Sequence, residues 1–537
     1  MAYRPRPMGV SRRQFLSAVG AAGGAGAMFA TMGALGLAPT AQAAQTTPAF
    51  RSPQRSDFSL SGRAAAKVVI LGGGIAGLAS AYELGKAGYD CTILEARDRA
   101  GGRNFTIRGG TAQTDLNGTT EVSRFSPDIY MNAGPARIAQ WMVTLDYCRE
   151  LGVPIEVFTN SNASSFIYNE SSGMTAPVRY RTAKADVYGY VSELLAKATD
   201  QGALDTELST TDKQELLAFL EDWGAIGGKA DGWQYTGTEH RGYSVDPGAG
   251  DVAGTVLGPV PSLSDVFASG VGRYFSFEFG YDQAMLMFQP VGGMDRIPAA
   301  LVKAIGPGRV RTGSVVTGIT DGPDQVRVDY LDPQGRAQAI TADYCIAAMP
   351  PHVMAKIPHN LGSNVQSALA AYSGQQVGKI GLEYGSRWWE TDYQIYGGIT
   401  ETDLDLTHIW YPSYGFHGQR GLIIGYYNTG ANAAAYGALS PAEREQRAVA
   451  QGVKIHGSKY RTDLSSSFSI AWHLVPHIEG GWTSPPYGTP GYELLNKPAG
   501  RTYFAGDWLS YLVAWQAGAF DSARSTVTAL HQRVLSA

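Results

Sequence analysis

Residues 67–96 read KVVILGGGIAGLASAYELGKAGYDCTILEA: an apolar, β-branched run, a cluster of glycines, apolar positions at helical spacing, and a second short apolar run over 90–94. The pattern predicts strand, tight turn, amphipathic helix and strand. A helical stretch follows at 136–151. From 182 to about 268 the chain turns more polar, with 3.6-period apolar positions over 188–198 and 214–223, which predicts an inserted helical lobe. The earlier alternation then resumes with a helix at 297–305 and strands at 315–319, 326–330 and 342–349. Residues 386–427 read as several strands separated by turns. Near the end, RTYFAGD over 501–507 is a strand running into Gly506 and Asp507, with a helix expected over 514–530.

The expected fold class is therefore α/β with mixed α+β parts. A Rossmann-like domain is assembled from 66–114, 286–358 and 495–537. A β-rich substrate domain (115–181 and 359–494) and a helical domain (182–285) are inserted between its pieces, so the nucleotide-binding lobe is discontinuous.

Composition narrows this picture. With 537 residues and 44% apolar content the chain can bury a large core. Its net charge of −4 hides an asymmetry, because residues 1–43 carry four Arg and no acid; subtracting those four positive charges from −4 leaves −8 on the remainder. An acidic body argues against nucleic-acid binding. Ser11, Arg12, Arg13, Gln14, Phe15 and Leu16, a weakly apolar Gly/Ala-rich run and Ala41-Gln42-Ala43 read as a twin-arginine signal over 1–43, followed by a polar linker over 44–65. The expectation is export to a periplasmic or secreted location with no stable membrane anchor. Cys91, Cys148 and Cys345 have no metal spacing and read as buried free thiols, one disulfide staying open as the alternative; no His cluster indicates a metal.

The glycines carry the first chemistry. Gly72, Gly74 and Gly77 are spaced GxGxxG between a strand and a helix, where the turn, a close approach of backbone to pyrophosphate and tight helix packing each need a missing Cβ. Glu95 is placed to accept from a ribose hydroxyl. The run continues as ARDRAGGR, and Gly102 with Arg103 makes room and charge for a second stretch of ligand. Asp507, after a distant strand, can bond a sugar-alcohol hydroxyl. Two signatures far apart in sequence point to the two ends of one long cofactor, FAD.

These blocks, with Gly134-Pro135-Ala136-Arg137, 290–295, 379–390, Gly397-Gly398, 422–426 and 504–521, resemble the flavin amine oxidase superfamily, and within it the L-amino-acid oxidases. The resemblance covers nearly all of the chain after the signal. It implies FAD held by Gly72, Gly74, Ile75, Ala76 and Gly77, by Glu95, Ala96 and Arg97, by Gly102 and Arg103, and by Gly134 to Arg137. Val316, Gly506, Asp507, Ala514 and Trp515 complete that set.

It also implies catalytic roles. Arg137, read as sitting at a helix start after a Gly-Pro turn, becomes the anchor for a substrate carboxylate, a surface Arg being the alternative. Tyr426 gives that carboxylate a second hydrogen bond, against a plain core tyrosine. Lys379, a lone cation in VGKIGLEYG, either snorkels to solvent or, as in the family, holds a water against flavin N5. Trp515 is an aromatic wall or a helix-packing residue, and the Ala514 backbone accepts from the substrate amine. The implied reaction is hydride transfer from Cα to flavin N5, giving an imino acid that hydrolyses to a 2-oxo acid and ammonia, with oxygen reduced to hydrogen peroxide. Amine or polyamine oxidation, and oxidative decarboxylation to an amide, stay open as alternatives. His240, His408 and His473 are candidate bases by residue type alone. The aromatics over 388–427 suit a bulky apolar amino acid, whereas Glu383, Asp403 and Asp405 would suit a basic one. Partners are thus an amino acid and oxygen, with a homodimer compatible with the family.

Overall fold

A computed structural model describes residues 58–536. The twin-arginine signal and most of the linker lie outside the described residues.

Five parallel strands form the sheet that the glycine pattern announces, in the order 310–311, 90–94, 67–71, 344–347, 502–504. Lys67–Leu71 is central, with Val68 opposite Cys91 on one side and Tyr344 on the other. Its residues Val69, Ile70 and Leu71 are fully buried, as strands covered on both faces require. Chain order reverses between this strand and Tyr344–Ala347, and a crevice at such a reversal, at the carboxyl ends of the strands, is where α/β sheets bind ligands. The helices Ile75–Lys86 and Gln516–Ser536 pack on each other against the sheet. The strand 502–504 is an edge strand, so the sheet begun at 67–71 is complete only when a segment more than 400 residues later pairs with 344–347.

A second, largely antiparallel sheet runs in the order 464–471, 377–384, 421–429, 408–410, 399–402, 166–168. All eight residues of Val377–Tyr384 are buried, because strands pair on both its edges and the sheet is covered on both faces. Between it and Gly421–Thr429 the register slips: Ile380 pairs with Tyr426 but Gly381 pairs with Ile424, leaving Gly425 unpaired as a bulge.

Residues 172–174 and 178–275 form a compact unit of their own. Its two long helices, Tyr180–Asp200 and Thr210–Gly224, enclose Ala196, Leu220, Ile226, Trp233 and Tyr235. Ser209 and Asp212 cap the second helix reciprocally. Gly189 has no side chain because the Tyr235 ring lies where its Cβ would be, 2.3 Å away.

One predicted element is corrected. The helix expected over 136–151 is confined to Thr144–Glu150, and Arg137 does not sit at a helix start. Ile138 exchanges both backbone hydrogen bonds with Phe288, at 2.7 and 2.8 Å, which holds the segment extended before the helix can begin. The C-terminal helix likewise starts at Gln516 rather than 514, since Ala514 adopts φ +69°. Cys91, Cys148 and Cys345 are buried, unpaired thiols. No described helix is long and apolar enough to cross a membrane.

Candidate active site

The first strand ends at Gly72, whose φ of +103° turns the chain into the crevice. A Cβ there would stand 2.9 Å from the Ala348 carbonyl oxygen, and one on Gly77 would stand 2.0 Å from the Gly72 oxygen. Gly77 thus serves helix–strand packing and does not itself line the cavity. Gly74 behaves differently: a Cβ would meet nothing within 4 Å, so the space it leaves belongs to the cavity. Gly74 is also the N-cap of its helix and no side chain caps the turn, which leaves backbone N–H donors and the positive helix end for a phosphate.

Glu95 is buried and holds the loop that surrounds it, accepting from Gly73 N at 2.7 Å and Arg97 N at 2.8 Å. Burial raises its pKa above the ordinary carboxylate value against those two bonds. Arg97 Nη1 is buried with no hydrogen-bond partner. Arg103 donates to the Gly481 carbonyl at 2.7 Å and pairs with Asp507 Oδ1, while Asp507 Oδ2 accepts from Ala514 N at 2.8 Å. The two cofactor signatures meet in this ion pair.

Gly72, Gly74, Ile75, Ala76, Glu95, Ala96, Arg97, Gly102, Arg103, Gly134, Pro135, Val316, Lys379, Gly506, Asp507, Ala514 and Trp515 all line one continuous cavity. Ala136, packed in the core, and Arg137 do not. An uncapped helix end, a buried Arg97 Nη1 without a partner and a glycine whose missing side chain leaves open space fit an extended, pyrophosphate-bearing ligand.

At the cavity's other end Lys379 is 3% exposed. Its Nζ donates to the carbonyls of Gly134 and Asn132 and stands 4.7 Å from the Tyr427 ring and 4.9 Å from Trp410. The ammonium is held inside and does not snorkel. Burial, and then the charge of Arg137, push its pKa down to about 7. Arg137 is 9% exposed, lies 4.6 Å from the Trp410 ring, 5.4 Å from Phe277 and 6.0 Å from Trp515, and has Nη1 buried without a partner. Among the described residues no carboxylate forms an ion pair with it; the fields of Tyr427, Glu401 and Asp282 only partly offset a burial that lowers its pKa. A desolvated cation without an anion, in a ring of aromatic side chains, is a site for an anionic group on a mostly apolar ligand.

Tyr426 is a correction. It is fully buried, with its ring on Tyr436 at 4.4 Å and its hydroxyl near Ser469, and it does not line the cavity. The bulge at Gly425 shifts the alternation by one, so Tyr427 faces the cavity in its stead. Three further residues are not in the predicted set. Trp410 has its ring 4.6 Å from Arg137 and 4.9 Å from Lys379, Trp482 lines the cavity beside Gly481, and Asp282 Oδ2 accepts from Trp515 Nε1 at 2.8 Å, fixing that ring. Gly480-Gly481-Trp482 was the one readable signal, a glycine pair before an aromatic. Of the candidate histidines, His240 lies in a short exposed turn and His473 Nδ1 is buried without a partner. Only His408 approaches the site, its ring 5.9 Å from that of Tyr427.

The family model described as flavin containing amine oxidoreductase matches residues 75–531. The chain is 27% identical over 464 residues to an L-amino-acid oxidase of Pseudechis australis, covering 84% of this chain and 83% of that one. It is 28% identical over 462 residues to an L-amino-acid oxidase of Protobothrops flavoviridis, covering 83% and 85%. Cyclohexylamine oxidase from Brevibacterium oxydans IH-35A has a similar fold, with TM-score 0.59, 17% identity, and coverage of 88% of this chain and 100% of that one.

Proposed function

We propose that this chain, which belongs to the flavin containing amine oxidoreductase family and so takes FAD as cofactor, oxidises L-amino acids to 2-oxo acids with release of ammonia and hydrogen peroxide. The observation that carries the reading is Arg137. A buried guanidinium with an unpartnered Nη1 is costly in the free protein and is explained by a ligand carboxylate that enters as its partner. An amine without a carboxylate would leave that cost standing.

Bound FAD supplies the two-electron acceptor, and oxygen regenerates it. The chain's own groups do the alignment. Arg137 fixes the carboxylate through paired N–H donors and so fixes Cα. Trp515, held by Asp282, and Trp482 are flat walls beside the reacting carbon. Lys379, with its pKa down to about 7, holds and passes protons at Nζ around neutrality.

The side-chain preference follows from which acids are engaged. Glu383 accepts from Ser126 N and Ser466 Oγ, Asp403 from the backbone at 170 and 171, and Asp405 from Tyr436 and Arg447. None of the three lines the cavity. With Phe277, Trp410 and Trp515 around Arg137, the substrates this supports best are aromatic or bulky apolar L-amino acids. The twin-arginine pattern supports export to a periplasmic or secreted location. The test is anaerobic bleaching of the flavin by a panel of L- and D-amino acids and simple amines, with product analysis. Bleaching by L-phenylalanine with formation of its 2-oxo acid supports the reading; bleaching by amines alone, or an amide product, overturns it.

A further inference from the structure

Beyond Trp410 the strand 408–410 carries His408, which retains 28% of its side-chain surface and makes two hydrogen bonds. Nδ1 lies 3.1 Å from the Tyr427 carbonyl oxygen and Nε2 lies 3.0 Å from Glu401 Oε2. Both partners are acceptors, so the ring satisfies both only as an imidazolium with two N–H donors. The charged groups facing it are Glu401 from the neighbouring strand, Arg137 from the segment before Ile138, and the Tyr427 phenol from the strand on its other side. The field of Glu401 also reaches Arg137.

We propose that His408 is a positioning residue that occupies Glu401 and thereby keeps Arg137 open to the substrate carboxylate. This rests on Arg137 being the carboxylate anchor. Glu401 is buried, and without a cationic partner it is left with the field of the guanidinium that the substrate needs. With His408 in place, Glu401 is neutralised, the Tyr427 carbonyl is held, and the Arg137 donors stay unclaimed. Glu401 and the Tyr427 carbonyl hold the imidazolium above its ordinary pKa despite burial and the repulsion of Arg137. The arrangement is therefore intact on the acid side and fails as pH rises through the His408 titration.

Benzoate is the probe, an aromatic carboxylate with no amine of its own to titrate. Its Kd is read on the flavin-loaded protein from the perturbation of the flavin spectrum as a function of pH. In the wild type, affinity falls as pH rises through the His408 titration. His408→Asn keeps a donor for the Tyr427 carbonyl but releases Glu401, and raises the Kd by about tenfold at pH 6, the scale of one lost charge-assisted contact. Glu401→Gln in that background restores binding and leaves only the pH dependence that Lys379 contributes. Glu401→Gln alone, nearly isosteric, binds benzoate as tightly as the wild type and also loses the part of the pH response that follows His408. A merely structural His408 would lower flavin content and thermal stability without rescue by the second substitution. The proposal is overturned if His408→Asn binds as the wild type does, or if the double variant stays as weak as the single one. Wild-type protein that fails to bind benzoate at any pH overturns the Arg137 reading itself, and the proposal with it.

Discussion

Replacing Arg137 with Met should separate function from stability in opposite directions. Two charge-assisted hydrogen bonds to a carboxylate, in a site shielded by Phe277, Trp410 and Trp515, are together worth about 3–4 kcal/mol, so kcat/KM for an L-amino acid falls by roughly 10²–10³-fold. The free protein moves the other way. A buried cation with an orphaned Nη1 has lost several kcal/mol of hydration, and its contact with Trp410 at 4.6 Å returns only ~2 kcal/mol or less. Met fills similar volume without that cost, so the substitution raises stability by about 1–2 kcal/mol. The assay compares peroxide release from L-phenylalanine with that from phenethylamine, which has the same ring and lacks the carboxylate, alongside flavin content and thermal midpoint. In the variant the preference for the acid collapses and the midpoint rises. An unchanged preference at full flavin content would refute the carboxylate anchor; a lowered midpoint would refute the argument from the orphaned charge.

Other outcomes follow from the same geometry. Tyr427→Phe alters KM for amino acids, whereas Tyr426→Phe changes only the unfolding midpoint, because successive residues of a strand point to opposite faces and only Tyr427 lines the cavity. Gly77→Ala drives a Cβ into the Gly72 carbonyl, and overpacking of ~1–3 kcal/mol weakens FAD retention by about tenfold, measured as flavin content after dialysis. Lys379 has a folded-state pKa depressed to about 7, so its protonated form penalises the native state fully below pH 7, and the penalty fades as pH rises towards 10.5. Lys379→Met is accordingly most stabilising at and below pH 7 in denaturant titrations, and kcat/KM loses its inflection near 7. The thiols of Cys91 and Cys148, pushed up to about 12 by burial, and of Cys345, pushed higher still, stay unreactive to a disulfide reagent until denaturant is added, when all three react.

What could be read in advance was what is local. The run from Gly72 to Glu95 encodes strand, turn and helix within thirty residues, and Gly77 meets the Gly72 carbonyl of that same segment, although Gly72 itself is held by the distant Ala348. Lys379 was legible as an anomaly, a cation in an apolar strand, but whether it pointed inward depended on Asn132 and Gly134, some 245 residues away in sequence. The family resemblance points to Tyr426 in place of Tyr427, and which of the two faces the cavity depends on a single unpaired glycine, a bulge that exists only in the pairing with 377–384. The helix expected at Arg137 lost to a bridge with Phe288, again a distant partner. Trp410, Asp282 and His408 carried no local signal; they matter because separate loops and strands converge on one guanidinium.

The Arg103–Asp507 pair joins positions 404 residues apart. At ~5–20 residues per second on a ribosome, roughly 20–80 s separate the synthesis of its two ends. Once residue 347 has been made and until 502 follows, the nucleotide-binding lobe is a fragment whose strand 344–347 has no neighbour on its outer side, an open edge able to pair with another nascent chain. The cofactor cannot be gripped from both sides until residue 507 has emerged. Flavin uptake is thus a report that synthesis has passed residue 507, and a chain cut short anywhere before the strand 502–504 is left colourless and prone to aggregate, however well its first glycine-rich unit has folded.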